Sequence, residues 1–393
     1  MINRQFIIFV VLFLTVYDVQ GQSDVIFINS FEVIEDKACT HTINPEDSFD
    51  VAFSQLVAGE TLCLNDGIYY QAMDVPSDIT VKAMNDGKAE LDGMGILGTQ
   101  WQGGLLTMQN NNSVVSGLLV HNAHQYSDAC TISGTNNKLL RTGCFDGGTH
   151  EHKIPIKVSG SDNLVEDSYG YGEGRYVVQC FVGDRNTFRR VIARWDSTKP
   201  NESSEPNAAF ANYGCEDSLF ENIVSLDYNQ PETTMRYGGD FYMPTTLDKG
   251  NSGTRWFAIA AVNHWDGAST ANLLNNNRCM RGDSKTQGSP VFTGIQVRDL
   301  YCQGSEYALV FTQPEYSAIE INDCTFVDVI NMGNENCTGS PADIEHRYID
   351  GVKTTQTVFP FPIEARAKSD MCSYRQSDWC NHSGDLYSYI TSL

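Results

Sequence analysis

The sequence predicts an all-β solenoid, with one set of short strands per coil stacked in parallel on a single apolar core. Three observations predict it. The first is an internal period: Asn112, Asn137, Asn163, Asn186 and Asp217 open units of similar texture, at spacings of 25, 26, 23 and 31 residues. The second is the content of each unit. Asn or Asp is followed two positions later by an apolar residue, then a polar pair, then usually a second short apolar run. The third is the missing i, i+3, i+4 apolar stripe, which excludes helical repeats. Each coil then buries its inward side chains only against its neighbours. Asn suits such a repeat because it tolerates left-handed turns and can hydrogen-bond a stacked Asn in the next coil.

The elements follow in chain order. Residues 1–21 read as a signal peptide: Arg4 gives the positive start, Phe6 to Tyr17 the apolar run, and Val19-Gln20-Gly21 the small residues of a cleavage site. The expected location is therefore secreted or extracellular, or periplasmic. No later stretch has the length of a transmembrane helix. Residues 22–44 read as an N-terminal tail. Asp47 to Phe53 opens the coils and is followed by apolar runs at Val57 to Leu64 and Ile79 to Ala83. Residues 45–335 carry the coils. Pro231 to Arg255 reads as a long loop leaving the solenoid, with Tyr237 and Tyr242 in it. Beyond about residue 336 the pattern stops, and 336–393 reads as a C-terminal extension packed on the coils, with a helical turn or two at Glu364 to Met371.

Composition narrows function. Against 26 Lys and Arg stand 49 Asp and Glu, a net charge of −23, so nucleic acid is not an expected partner. The 12 cysteines are even in number, and no CxxC spacing suggests zinc. In an exported chain they read as disulfides, with Cys39–Cys63 and Cys372–Cys380 as local pairs. Charge is uneven. From Lys138 to Lys199 there are ten basic and eight acidic residues, so this band is +2 and the remainder −25. Such a band suits an anionic ligand.

The register, with the opening Val57-Ala-Gly-Glu-Thr-Leu-Cys-Leu-Asn-Asp-Gly-Ile-Tyr69 and its close at Leu91-Asp-Gly, resembles the right-handed parallel β-helix of the pectate-lyase-like superfamily. The resemblance spans about residues 45–335 and implies a short N-terminal capping helix, within Asp47 to Phe53, ahead of the first coils. Within it, Lys153-Ile-Pro-Ile-Lys157-Val-Ser-Gly-Ser-Asp-Asn163 resembles the strand-lysine-turn-Asn stretch of chondroitinase-B-like and alginate-lyase-like polysaccharide lyases. That likeness implies an acidic, uronate-containing polysaccharide as substrate, Lys157 as base and calcium as cofactor. The chain departs from the pattern where it has His150-Glu151-His152 in place of acidic ligands, and it has no Arg-His-Gly near Gln179.

Residue types in the band complete the expected site. Arg175 and Arg190 are candidates for the second catalytic cation. Arg194, Tyr176, Trp195 and Tyr237 are candidates for binding the glycan, and Glu151 and Glu173 for holding a metal. Elimination needs these types: a cation to neutralise the uronate carboxylate and a base to take the proton next to it. Exposed aromatic rings stack on sugar faces. The alternatives are a non-catalytic extracellular glycan-binding, adhesin or matrix protein, and a β-helix glycoside hydrolase using a carboxylate pair such as Glu166 and Asp167. Nucleophile-elbow and HExxH motifs are absent, and Arg281-Gly282-Asp283 reads as a chance tripeptide.

Overall fold

One coil of the chain is three strands, and successive coils repeat the three in the same order. The computed structural model describes residues 37–98, 103–147, 153–172, 174–196, 207–226, 239–244, 250–263, 277–283, 293–311, 319–333 and 335–393. The chain divides into Met1–Ala38 and Cys39–Leu393. The first unit, with the signal-peptide reading and most of the tail, lies almost wholly outside the described residues.

The first face stacks His41–Ile43, Thr61–Leu64, Thr80–Ala83, Val114–Ser116, Lys138–Leu140, Leu164–Glu166 and Thr187–Arg189, all parallel. The second stacks Gly67–Tyr69, Ala89–Asp92, Leu118–His121, Gly143–Phe145, Tyr169–Gly172 and Ile192–Trp195. Both run into Leu219–Leu226, and from there Arg255–Val262, Ile295–Gln303 and Ile319–Val327 serve both faces. The third face holds ten strands, from Met73–Asp74 through Asp128–Ile132, Ile156–Val158, Tyr176–Phe181 and Ala208–Tyr213 to Gly239–Pro244, Arg278–Asp283 and Asn331–Gly333. His41–Ile43 is already a coil strand, inside the segment read as tail. Gly239–Pro244 is a third-face strand, not part of a departing loop: Phe241 and Met243 point into the core and Tyr242 out.

The predicted Asn stack forms, with a shift at its ends. The Asn137 Oδ1 accepts from Ser113 N at 2.8 Å, Asn163 Oδ1 from Asn137 N at 2.8 Å, and Asn186 Oδ1 from Asn163 N at 3.0 Å. Their Nδ2 groups donate to the carbonyls of Asn110, Gly134 and Gly160. The stack ends on Ser113 and Ser218, not on Asn112 and Asp217, which stand one residue earlier. That earlier position is the left-handed one, with φ of 59° at Asn112, 58° at Asn136, 59° at Asp162, 54° at Arg185 and 52° at Asp217. Two neighbouring residues thus divide the work the sequence reading gave to one. A second left-handed corner joins first and second faces at Arg141, Asp167, Arg190 and Asn222.

The interior is apolar, and aromatic at its centre. Phe188 stacks on Phe220 at 4.5 Å, and Phe220 on Trp256 at 3.9 Å. All twelve cysteines pair, including Cys39–Cys63 and Cys372–Cys380 as expected. Each bond stabilises by about 2–4 kcal/mol, chiefly by restricting the unfolded chain.

The last 50 residues cover two of the three faces. A hairpin, His346–Ile349 with Val352–Thr357, lies on the first face, where Tyr348 exchanges two hydrogen bonds with Asn222 and donates its hydroxyl to buried Asp299. Helices Glu364–Tyr374, Asp378–Asn381 and Leu386–Ser392 lie on the second, with Ala367, Met371, Trp379 and Ile390 packed over Tyr169, Ile192, Val224 and Ala260.

Glu364 anchors this layer. One of its carboxyl oxygens accepts from Leu386 N and the other is buried with no partner. Burial pushes its pKa up to about 7. The folded protein therefore holds a proton there that the unfolded chain releases near pH 4.5. Its contribution is complete below that pH and is lost as pH rises through about 7. Glu364→Gln is expected to raise the melting temperature at pH 8 and to leave it unchanged at pH 4, read from melting curves across that range.

Candidate functional site

With the extension on the first two faces, the third carries a separate outward cluster of Ile154, Tyr176, Ala208, Ala211 and Tyr242. Strand alternation decides what else points out. In Ile156–Val158 the flanking residues enter the core and Lys157 faces outward. The register continues that row through Thr131 on one side, and Gln179, Ala211, Tyr242 and Arg281 on the other.

Lys157 sits at the polar end of this row. Its Nζ lies 3.6 Å from Asp128 Oδ2 and 5.5 Å from the centre of the Phe181 ring. Asp128 is buried. It also accepts from Thr131 Oγ1 at 3.2 Å and from Ile154 N at 3.0 Å. Burial raises its carboxyl above the usual range, against the opposing charges of Lys157 and Lys153. Lys153 is itself buried, and burial takes it below the ordinary lysine range, with Asp128 opposing and Lys157 adding to the fall. Two amines thus share one carboxylate. Lys157, with 21% of its side chain exposed, is the one that reaches solvent.

Arg175 follows on the next coil. Its N–H donates to the Lys153 carbonyl at 2.8 Å, which sets the two side by side. The guanidinium lies 4.8 Å over the Tyr176 ring, Tyr176 is 6.1 Å from Tyr242, and Arg281 lies 5.2 Å over Tyr242. Two tyrosines therefore lie between two arginines across several coils. Arg281 and Asp283 pair with each other inside a strand, which accounts for that tripeptide structurally.

Of the expected residues the structure places Lys157 on this outward row, and Arg175 and Tyr176 on the next coil beside Lys153. It places three others elsewhere. Arg190 is the corner between first and second faces, and its guanidinium binds Asp167 and Glu166 of the preceding coil. That pairing also occupies the carboxylates considered for hydrolysis. Arg194 is fully buried on the second face, paired with Asp196 at 2.8 Å and donating to the Met371 carbonyl of the C-terminal helix. Trp195 is a core residue whose indole N–H donates to Gly174 O at 2.8 Å. Trp256 is likewise core. Tyr237, Glu151, Glu173, His150, His152 and Trp265 lie outside the described residues. Asp128 and Lys153 are the site residues the sequence reading missed. Lys153 carried a signal, four residues before Lys157 in the same approach to the strand.

Calcium takes about six to eight oxygen ligands. Among the described residues no group of three or more His, Cys, Asp or Glu side chains is placed to hold a metal ion. At Lys157 the carboxylate is Asp128, already shared by two lysines, and it does not fit that role. Among the same residues no helix is long and apolar enough to cross a membrane.

No protein-family model matches the chain, and no curated protein matches its sequence. Solved structures do match. An alginate lyase from Paenibacillus sp. str. FPU-7 is 12% identical, with a TM-score of 0.54 over 77% of this chain and 99% of that one. The pectate lyase Pel9A is 17% identical, with a TM-score of 0.47 over 80% and 84%. A PL6 family polysaccharide lyase from Pseudopedobacter saltans is 14% identical, with a TM-score of 0.46 over 75% and 77%. At these identities the likeness is one of fold.

Proposed function

We propose that this pectate-lyase-like right-handed parallel β-helix is a polysaccharide lyase that cleaves a uronate-containing glycan on its third face. The observation that carries the reading is the pair Lys153 and Lys157 around one buried carboxylate, with Arg175 and Tyr176 beside Lys153 on the next coil. The fold it shares with a solved alginate lyase supports it.

The chemistry follows from the residue types. The uronate carboxylate meets the positive charge of Arg175 and of the lysine pair. Neutralising it makes the adjacent C–H more acidic. Lys157, as free amine, takes that proton. The released electron pair forms a carbon–carbon double bond, the neighbouring C–O bond of the glycosidic link breaks, and the leaving oxygen gains a proton. The products are a new chain end with an unsaturated uronate and a shortened glycan. Arg190 and Arg194 take no part, being held in ion pairs at a corner and beneath the C-terminal helix.

A non-catalytic glycan-binding role is favoured by one observation: Lys157 already has a partner, its Nζ lying 3.6 Å from Asp128 Oδ2. Ultraviolet absorbance of the unsaturated product separates the two. Full-length mature chain is incubated with pectate, alginate and chondroitin, each with calcium and with chelator. The expected result is a rise in absorbance with one of them. No rise from folded protein on any of the three would move the reading to glycan binding. New reducing ends without absorbance would mean hydrolysis.

A further inference from the structure

On the opposite side of the coils the second face meets the C-terminal helix Glu364–Tyr374, and between them lies a groove of about 290 Å³. That is near the lower end of ligand-pocket sizes. One wall is a column of rings from three successive coils: His121 stacks on Phe145 at 4.6 Å and 7°, and Phe145 on Tyr171 at 4.5 Å and 10°. The helix supplies the other wall. Tyr374 stands edge-on to Tyr171 at 5.3 Å, is 40% exposed, and donates its hydroxyl to Asp146 at 2.8 Å. The polar groups are the Glu90 and Asp370 carboxylates, the His121 ring and the Ser373 hydroxyl. His121 Nε2 lies 3.5 Å from Glu90.

From this geometry we infer a second glycan site, for a neutral sugar unit. Aromatic walls with a few acceptors and hydroxyls are what a pyranose ring uses, through apolar contact on its C–H faces and hydrogen bonds from its hydroxyls. The lining contains no Lys or Arg, and its carboxylates repel a uronate. It does not call for a cation either. Arg366, Lys88 and His121 already offset the Asp370 charge, and Asp370 accepts from the Tyr169 hydroxyl. What remains for a ligand is hydrogen-bond acceptor capacity at these carboxylates. The site is independent of the lyase reading, since a chain without activity would still bind there.

The test is isothermal titration of the full mature chain with neutral hexamers of glucose, mannose, xylose and galactose. A galacturonate hexamer and a glucosamine hexamer are the anionic and cationic probes. The expected result is binding of a neutral hexamer with Kd below about 1 mM. Tyr374→Ala should weaken it about fivefold, since an aromatic contact of this kind is worth about 1 kcal/mol. Glu90→Gln should weaken it about threefold by exchanging a charged acceptor for a neutral one. Both residues are partly exposed, and circular dichroism confirms that each variant is folded. The inference is overturned if no neutral hexamer binds, if only the glucosamine hexamer binds, or if both variants bind as the wild type does.

Discussion

Lys157→Ala is expected to lower the elimination rate by about a hundred- to ten-thousandfold, the usual worth of a positioned base. The fold should survive, because Asp128 keeps Lys153 as its partner and loses only the more exposed amine. Lys157→Arg makes the experiment discriminating. Arginine preserves the charge beside Asp128 but cannot act as a base near neutral pH. If Lys157 removes the proton, the arginine variant loses kcat as fully as the alanine variant while KM stays near the wild-type value. If Lys157 serves only to attract the glycan, the arginine variant keeps most of its activity. Single-turnover absorbance with the substrate found active gives both constants.

The contrast between Lys157 and Arg194 explains how far the sequence could be read. Both lie in strands with apolar neighbours, Ile156 and Val158 for one, Ala193 and Trp195 for the other, and alternation turns both outward. What an outward residue meets is not a local property. Lys157 meets Asp128, 29 positions earlier, and solvent. Arg194 meets Met371, 177 positions later, because a helix from the extension lies over its face. Arg190 fails for a different reason. Most left-handed corners of the described chain fall on Asn, Asp or Gly, but Arg141 and Arg185 also make them, and nothing in an Arg-Arg pair reveals that the second arginine makes the turn. Asn137, Asn163 and Asn186 were legible because their hydrogen bonds repeat at the coil period. Asp128 was not, because its role depends on register across coils and not on any neighbour in sequence.

The extension is held to the second face by a buried charge cluster, and breaking it is expected to give the largest loss of stability. Asp196 is fully buried between two guanidiniums, accepting from Arg194 Nε at 2.8 Å and from Arg375 Nε at 2.5 Å. Arg194 lies in the coils and Arg375 caps the helix that carries Asp370, Ser373 and Tyr374. Asp196→Ala leaves the Arg194 charge buried without its carboxylate, which costs about 3–5 kcal/mol. Denaturant unfolding of the variant should show this loss, and limited proteolysis should cut first within residues 336–393. The double variant Arg194→Met with Asp196→Ala separates charge from packing. It removes the buried cation along with its partner, so it should recover most of the stability that Asp196→Ala alone loses. If the double variant is no more stable than the single one, the cluster acts by shape and not by charge. Neutral-sugar binding should follow the same order across the three proteins, because one wall of the groove is the helix that Asp196 holds in place.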